Sequence, residues 1–340
     1  MRVVQIGGGF GMEHLEVAER PDPVPGPHDV LVRMRQASLN YRDLLTVNGL
    51  YNPRQPLPLV PCSDGMGVVV ETGSAVTRFA VGDRVSPAFF RDWIGGEPDS
   101  AALKTALGGP LEGTLTQLFC APEHAFVVVP EHLTDAEAAT LTCAGLTAWS
   151  ALSTQARIGA GETVLVQGTG GVSMFALQFA HMHGARVIAT SSSDEKLNVL
   201  REEYGVASDD LINYRDDPDW GKTAKALTGG RGVDHVVEVG GAGTLAQSIR
   251  AVRPGGTISL IGVLAGGADH LNLVPVLMRN IRIQGVIVGP RDAFEAMNRA
   301  ISLNRMRPRV DRTFGMEETA DAFAYVAAGR HMGKVTIDLA

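Results

Sequence analysis

Cysteine is scarce in this 340-residue chain. Cys62, Cys120 and Cys143 are the three present, too few and too scattered for a disulfide framework, and they read as reduced thiols of a cytoplasmic protein. Positive charge is not in surplus either. Thirty Lys and Arg against 37 Asp and Glu leave a net charge of -7, which argues against a nucleic-acid-binding surface. No apolar run approaches the roughly 20 residues that span a bilayer. The opening MRVVQIGGGFGMEH lacks the basic stretch, apolar core and cleavage site of a secretory signal. What remains is a protein of ordinary globular composition, 45% hydrophobic and 20% charged, long enough for two domains.

Glycine is what the chain has in quantity, 40 residues in all, and its clusters carry the reading. Up to about residue 125, short strands such as Val30–Arg35 and Gly67–Val70 alternate with turns at PDPVPGPHD and AVGDRV. The first convincing helix is expected over Ala136–Leu152, with Thr134 as N-cap and Glu137 three residues on. From Gly161 the texture changes to strand–helix alternation. Strands are expected at Thr163–Gln167, Arg186–Thr190, Leu211–Asn213, Asp234–Val239, Thr257–Ile261 and Ile281–Val288, with helices between them. Parallel neighbours need crossover connections, so this alternation implies a doubly wound parallel sheet. The tail after Gly289 reads as helix, strand, helix and a last strand, Lys334–Asp338, folding back onto the first domain. The expected domains are therefore 1–126 with 289–340, and 127–288.

Between the first strand of the alternation and its helix lies Gly168-Thr169-Gly170-Gly171-Val172-Ser173. Gly168 allows a tight bend, Gly170 lets backbone approach a pyrophosphate, and the helix N-terminus beyond Gly171 and Val172 faces the negative charge. Ser173 stands where this fingerprint has a third glycine, which predicts slightly looser strand–helix packing. At the end of the second strand, an NAD-selective site has an acidic residue. This chain has Ser191-Ser192-Ser193, with Lys196 within reach. Hydroxyls and an ammonium suit a 2′-phosphate, so NADPH is favoured; Asp194 and Glu195 nearby keep NADH open. The alternative is that the serines cap the next helix.

A fingerprint placed late, behind a strand-rich domain, resembles the medium-chain dehydrogenase/reductase superfamily over essentially the full length, and most closely its quinone oxidoreductase and zeta-crystallin-like branch. The matching segments are ASLNYRDLLTVNGLY (37–51), VGDRV (81–85), LTCAGLTAW (141–149), ETVLVQGTGGV (162–172), GGRGVDHVVEVGG (229–241) and PGGTISLIGV (254–263). The resemblance implies a GroES-like strand-rich substrate domain, a Rossmann NAD(P)-binding domain, a cleft between them and a homodimer. In zinc-dependent members, cysteines occupy the positions of Asn40 and Cys143, and a His-Glu pair that of Ser63-Asp64. One thiolate cannot hold a metal that needs three protein ligands. The four clustered cysteines of a structural zinc are missing after VGDRV. No zinc is expected, and Cys143 reads as a small buried residue.

Without a metal, hydride transfer must rely on positioning and on hydrogen-bond donors at the oxygen that gains charge. Asn40, Tyr41, Arg42 and Tyr51 fall in the segment that resembles the substrate-facing loop of quinone reductases, Asn40 matching a residue near the nicotinamide and Tyr51 a cleft tyrosine. A second cleft tyrosine of that branch is replaced by Leu45. Asp43 and Asp64 are candidates for proton relay or for an ion pair with Arg42. The resemblance further assigns Thr147 and Tyr214 to the cofactor; Gly240 and Ile261-Gly262-Val263 end the fourth and fifth strands, where open parallel sheets bind ligands, and Val288 is placed with them. The resemblance places Lys334 near the cofactor phosphates, a solvated surface lysine being the alternative. Phe89, Phe90 and Trp93 are expected to wall the substrate cleft. His181 and His183 read as a charge complement at a helix C-terminus rather than a metal pair. The expected function is NADPH-dependent reduction of a quinone or activated alkene, a small-molecule reaction with no nucleic acid or membrane involved. Zinc-free alcohol dehydrogenation is the second enzymatic reading, and a non-catalytic, NADPH-binding zeta-crystallin-like role is the third.

Overall fold

The computed structural model describes residues 1–262 and 271–340. It divides into two compact units, one formed by Met1–Leu146 with Gly289–Ala340 and the other by Thr147–Val288. The tail thus returns to the first unit. The first unit runs past residue 126, because the helix expected over Ala136–Leu152 begins within it. Its opening turn, α2 (Asp135–Ala139), packs on sheet strands of that unit. The cap is as the sequence implied, with Thr134 Oγ1 accepting from Glu137 N–H at 3.2 Å. Beyond α2 the chain stays helical but widens into π turns at Leu141–Gly145 and Ser150–Gln155, on either side of α3 (Leu146–Trp149). Such widening often accompanies functional positions.

In the first unit a hairpin, β1 (Arg2–Ile6) with β2 (Leu15–Glu19), leads into β3 (Asp29–Ser38). The short helix α1 (Tyr41–Val47) follows. The segment expected as a substrate-facing loop is therefore largely helical at its start, because Asn40 in extended conformation and Asp43 cap it. Next come β4 (Asp64–Thr72), β5 (Arg84–Pro87), β6 (Leu118–Pro122) and β7 (Phe126–Val128). The tail adds α9 (Arg291–Asn304), β14 (Val310–Gly315), α10 (Thr319–Ala327) and β15 (Lys334–Asp338). The sheet runs β14-β15-β3-β4-β5-β7, with β6 on β3. Its core gathers Val30, Val32, Met34, Val69, Val85, Phe126, Phe323 and Ile337. β15 lies antiparallel to β3, with Thr336 opposite Ser38, which carries Lys334 to the strand end beside Leu39 and Asn40.

The second unit is the alternating one. Its elements are β8 (Thr163–Gln167), α4 (Gly171–Met182), β9 (Arg186–Ser191), α5 (Asp194–Tyr204), β10 (Leu211–Asn213), α6 (Trp220–Leu227), β11 (Val233–Glu238), α7 (Leu245–Ala251), β12 (Val252–Leu260), α8 (Val274–Met278) and β13 (Arg282–Gly285). All pairings are parallel, in the order β10-β9-β8-β11-β12-β13. The order reverses between β8 and β11, so the carboxyl ends of these two strands open the crevice where such sheets bind ligands. β9 and β11 are shifted by one residue from expectation, and two strands differ by more. β12 starts at Val252 and includes the Pro254-Gly255-Gly256 turn, its register against β11 shifting between Val233 and His235. β13 ends at Gly285, leaving Val288 buried beyond it in a left-handed conformation (φ 52°). Among the described residues, no helix is long and apolar enough to cross a membrane.

Candidate functional site

The glycine turn sits at the switch point. Gly168 takes a left-handed conformation (φ 69°) and is tied to β9 by its N–H on Thr190 O, 2.7 Å. Gly170 is the N-cap of α4. A Cβ on either residue would meet no protein atom within 4 Å, so these glycines border open space. The leading N–H groups of α4, at Gly171 and Val172, have no intrahelical partner, and the helix dipole favours an anion there. A dinucleotide pyrophosphate fits this cradle. Ser173 does not loosen the packing as expected: it is buried and its Oγ donates to Gln167 O at 2.6 Å, tying helix to strand.

A network invisible to motif reasoning holds the neighbouring strand ends. Glu238, fully buried at the end of β11, accepts Gln167 Nε2 (2.8 Å), Gly240 N–H (2.9 Å), Gly241 N–H (3.0 Å) and the hydroxyls of Thr244 and Ser248. Its own carbonyl takes Ile261 N–H at 2.9 Å. Gly262 is required here, since a Cβ would stand 2.2 Å from Val239 O. Glu238 thus joins Gly240 through its carboxylate and Ile261 and Gly262 through its main-chain carbonyl, three of the residues assigned to the cofactor from sequence. Val263 lies outside the described residues. The sequence signal was an acid and a glutamine at the ends of two strands.

At the far side of the turn, Tyr214 N–H donates to Ser191 O at 3.0 Å, so these two assigned residues adjoin. Ser191 is buried and accepts Ser193 N–H at 3.3 Å. Ser193 caps α5 by accepting Lys196 N–H at 3.3 Å, so capping does account for part of the serine run. The nearby acids are engaged elsewhere, Asp194 with Asn213 Nδ2 (2.8 Å) and Glu195 with Ser193 Oγ (2.5 Å). Thr147 is buried at the start of the second unit. His183 Nδ1 lies 2.8 Å from Phe179 O, and its ring lies against Trp149. Burial pulls the His181 imidazole below its usual range. Among the described residues no group of three His, Cys, Asp or Glu is placed to hold a metal.

The first unit gathers a different set. Lys334 is not a solvated surface lysine. It is 4% exposed, and its Nζ donates to Leu39 O (2.6 Å) and Asn40 Oδ1, with Asp64 Oδ2 at 3.5 Å. Asn40 and Asp64, two of the positions at which the resemblance implies zinc ligands, thus meet on an ammonium. Burial raises the Asp64 carboxyl, and Lys334 and the Ser63 hydroxyl (2.8 Å) oppose that shift. The Cys143 thiol is driven well above its usual range, by burial first and by Asp64 next. An amide, a carboxylate already neutralised by an ammonium and a protonated thiol do not make a zinc site.

The Arg42 guanidinium is engaged by its own neighbours. Its guanidinium donates to Leu107 O (2.7 Å) and Gly109 O (2.9 Å) and lies 4.9 Å from the ring centroids of both Tyr51 and Phe89. It lies 3.6 Å from Asp43, the ion pair considered from sequence, and so acts as scaffold for its neighbours. Tyr51 and Tyr41 are exposed. Tyr51 borders a cavity of about 320 Å³ with Thr46, Asn52, Gln55 and Lys104. Phe89, Phe90 and Trp93 do not form an open wall: all three are buried and packed edge-to-face on one another. Their loss would unfold this region before it altered specificity.

Residues 26–131 match the alcohol dehydrogenase GroES-like domain family and residues 171–302 the zinc-binding dehydrogenase family. The latter match contains none of Asn40, Ser63, Asp64 and Cys143. A zinc-type alcohol dehydrogenase-like protein of Schizosaccharomyces pombe is 40% identical over 337 residues, covering 97% of this chain and 96% of that protein. An acryloyl-coenzyme A reductase of Metallosphaera sedula is 28% identical, covering 95% and 96%. The crystal structure of an NAD-dependent alcohol dehydrogenase superposes with a TM-score of 0.90 at 33% identity, covering all of both chains.

Asp43 offers a direct check on the electrostatics. It is completely buried, and that burial pushes its carboxyl up to about 6, only partly offset by Arg42. The folded protein therefore holds a proton that the unfolded chain releases near pH 4. Stability associated with this group is complete below about pH 4 and is lost as pH rises through about 6. Thermal melts across that interval should show a decline that Asp43→Asn flattens. An undiminished slope in the variant would identify another group as the one titrating.

Proposed function

The chain belongs to the medium-chain dehydrogenase/reductase superfamily, in its zinc-independent, quinone-oxidoreductase-like branch, and from that premise we propose that it reduces a quinone or an enone with NADPH. The observation that carries this reading is the ammonium of Lys334 on Asn40 and Asp64. Alcohol oxidation needs a metal or a free base to take the hydroxyl proton. Here Asp64 is paired with Lys334 and Ser63, and Asp43 accepts Asn40 N–H at 2.8 Å. Reduction needs donors at the oxygen that gains charge, and Asn40, Tyr41 and Tyr51 supply them.

When bound, the dinucleotide supplies the hydride; a proton from solvent or a side chain completes the hydroquinone or saturated ketone. Gly168, Gly170, Gly171 and Val172 would hold the pyrophosphate. Gly240, Ile261 and Gly262, braced by Glu238, would border the nicotinamide half, with Thr147 and Val288 assigned to the same ligand. Ser191, Lys196 and Tyr214 would take the adenosine end. A serine rather than an acid at the end of β9 favours the 2′-phosphate, although one solved relative is an NAD-dependent enzyme. Among the relatives, an acryloyl-coenzyme A reductase works on an activated alkene, which supports the enone arm; the alcohol dehydrogenases support the alternative.

We further place the protein in the cytoplasm as a homodimer. β13 is an edge strand, and α8 beside it exposes Leu273, Val274, Leu277 and Met278. An open strand edge with an apolar patch is a surface that a second copy can cover. Sedimentation should give twice the chain mass, and Leu277→Glu should shift it toward monomer. A wild-type monomer at micromolar concentration would remove the dimer.

Turnover of 1,4-benzoquinone, an enone and a panel of alcohols, each with both nicotinamide cofactors, tests the activity. Quinone or enone reduction with NADPH, unaffected by a chelator, is the expected result. Alcohol oxidation alone would overturn it, and tight NADPH binding without any turnover would favour a non-catalytic role. For the cofactor, Ser191→Asp should move the NADPH/NADH preference roughly tenfold or more toward NADH by repelling the extra phosphate. An unaltered ratio would remove Ser191 from that site.

A further inference from the structure

Asn40 presents a question that its neighbours answer. The oxygen and nitrogen of a carboxamide are exchangeable in shape, and only the hydrogen-bond network decides which way it faces. The neighbour here is Lys334 Nζ, which has three donors and no acceptor. Asn40 must therefore turn Oδ1 to the ammonium and Nδ2 away from it. That Nδ2 is buried and makes no hydrogen bond among the described residues, although it lies near enough to Asp64 to favour that carboxylate's charged form. A buried amide donor without a partner is costly, and it is the kind of group that a ligand satisfies.

The ammonium is itself held from three directions. Leu39 O accepts it at 2.6 Å, and Asp64 Oδ2 at 3.5 Å balances its charge. Asp64 is fixed in turn by the Ser63 hydroxyl at 2.8 Å, and Thr114 Oγ1 donates to the Asp64 carbonyl at 2.7 Å. Lys334 and Asp64 are both buried. A carboxylate therefore anchors an ammonium, and the ammonium sets an amide.

We propose that Lys334 is a positioning residue for hydride transfer: it locks the Asn40 carboxamide so that Nδ2–H is offered to a carbonyl oxygen of the reacting ligands. This rests on the reading of Asn40 as ligand-facing. Two oxygens share that chemistry, the carboxamide of the nicotinamide and the carbonyl of the substrate, and binding measurements separate them.

The test uses the full chain as Asn40→Ala, Lys334→Met, the pair combined, and Lys334→Met with Asp64→Asn. NADPH affinity is read by fluorescence titration, turnover by kcat and KM, and folding by thermal melting. Each single variant at Asn40 or Lys334 should lose about tenfold to a hundredfold, the range expected for one charge-assisted hydrogen bond. The loss should appear in NADPH Kd if the nicotinamide is the acceptor, and in kcat/KM with Kd unchanged if the substrate is. The Asn40→Ala, Lys334→Met double variant should be no worse than either single one. Removing Asp64's charge together with the lysine should restore melting temperature but not the lost binding or turnover. Additive losses, or function returning along with stability, would reduce Lys334 to a structural ion pair. If Asn40→Ala alone leaves both Kd and turnover at wild-type values, the reading of Asn40 fails and takes this inference with it.

Discussion

Burying a lone charge in a protein interior costs several kcal/mol, so an ammonium found there must be matched by oxygen atoms and an opposite charge. Lys334 meets that condition through Leu39 O, Asn40 and Asp64. The consequences spread through the first unit. β15 must lie where its first residue reaches the end of β3, β4 must deliver Asp64 from its own start, and the cap of α1 must put Asn40 between them. Three distant stretches of sequence are registered on one cation. The electrostatic need that a metal answers in zinc-dependent relatives is answered by a side chain, and the chemistry open to the pocket changes with it.

The second unit solves a different problem with the opposite charge. A buried carboxylate, Glu238, gathers donors from β8, α7 and the turn after β11. It needs no cation because five N–H and O–H groups surround it, which is how carboxylates are held in buried positions. Its effect is to fix the strand ends around the point where the sheet order reverses. Gly168 and Gly170 border open space beside strand ends that this network holds in place. A rigid rim around an open cradle suits a cofactor whose reactive ring must be positioned closely.

Arg42 shows how a chemically suggestive residue can be scaffold. A guanidinium beside two tyrosines in a substrate-facing segment invites a catalytic role. It is instead used on two carbonyls, with the rings of Tyr51 and Phe89 beside it. The aromatic run at Phe89, Phe90 and Trp93 shows the same effect, since residue type and adjacency are identical for a wall and for a packed core. Exposure is what separates them.

Local pattern was enough for the second unit. Apolar runs of strand length, punctuated by glycine and alternating with helical stretches, are set by neighbours in the chain, so β8 and β10 were legible to the residue, as was β15 in the first unit, and the fingerprint turn was placed correctly. The positions of lost zinc ligands at Asn40, Ser63 and Asp64 were equally legible, because each is a matter of which residue stands in a recognisable segment. Tertiary structure alone decided that Lys334 joins Asn40 and Asp64, that Glu238 holds the ends of β8 and β11 together, and that Ser173 tightens rather than loosens α4. These are hydrogen bonds between residues far apart in sequence or on different elements. Their free energies depend on burial and on the direction of each donor, and neither quantity exists until the chain has folded.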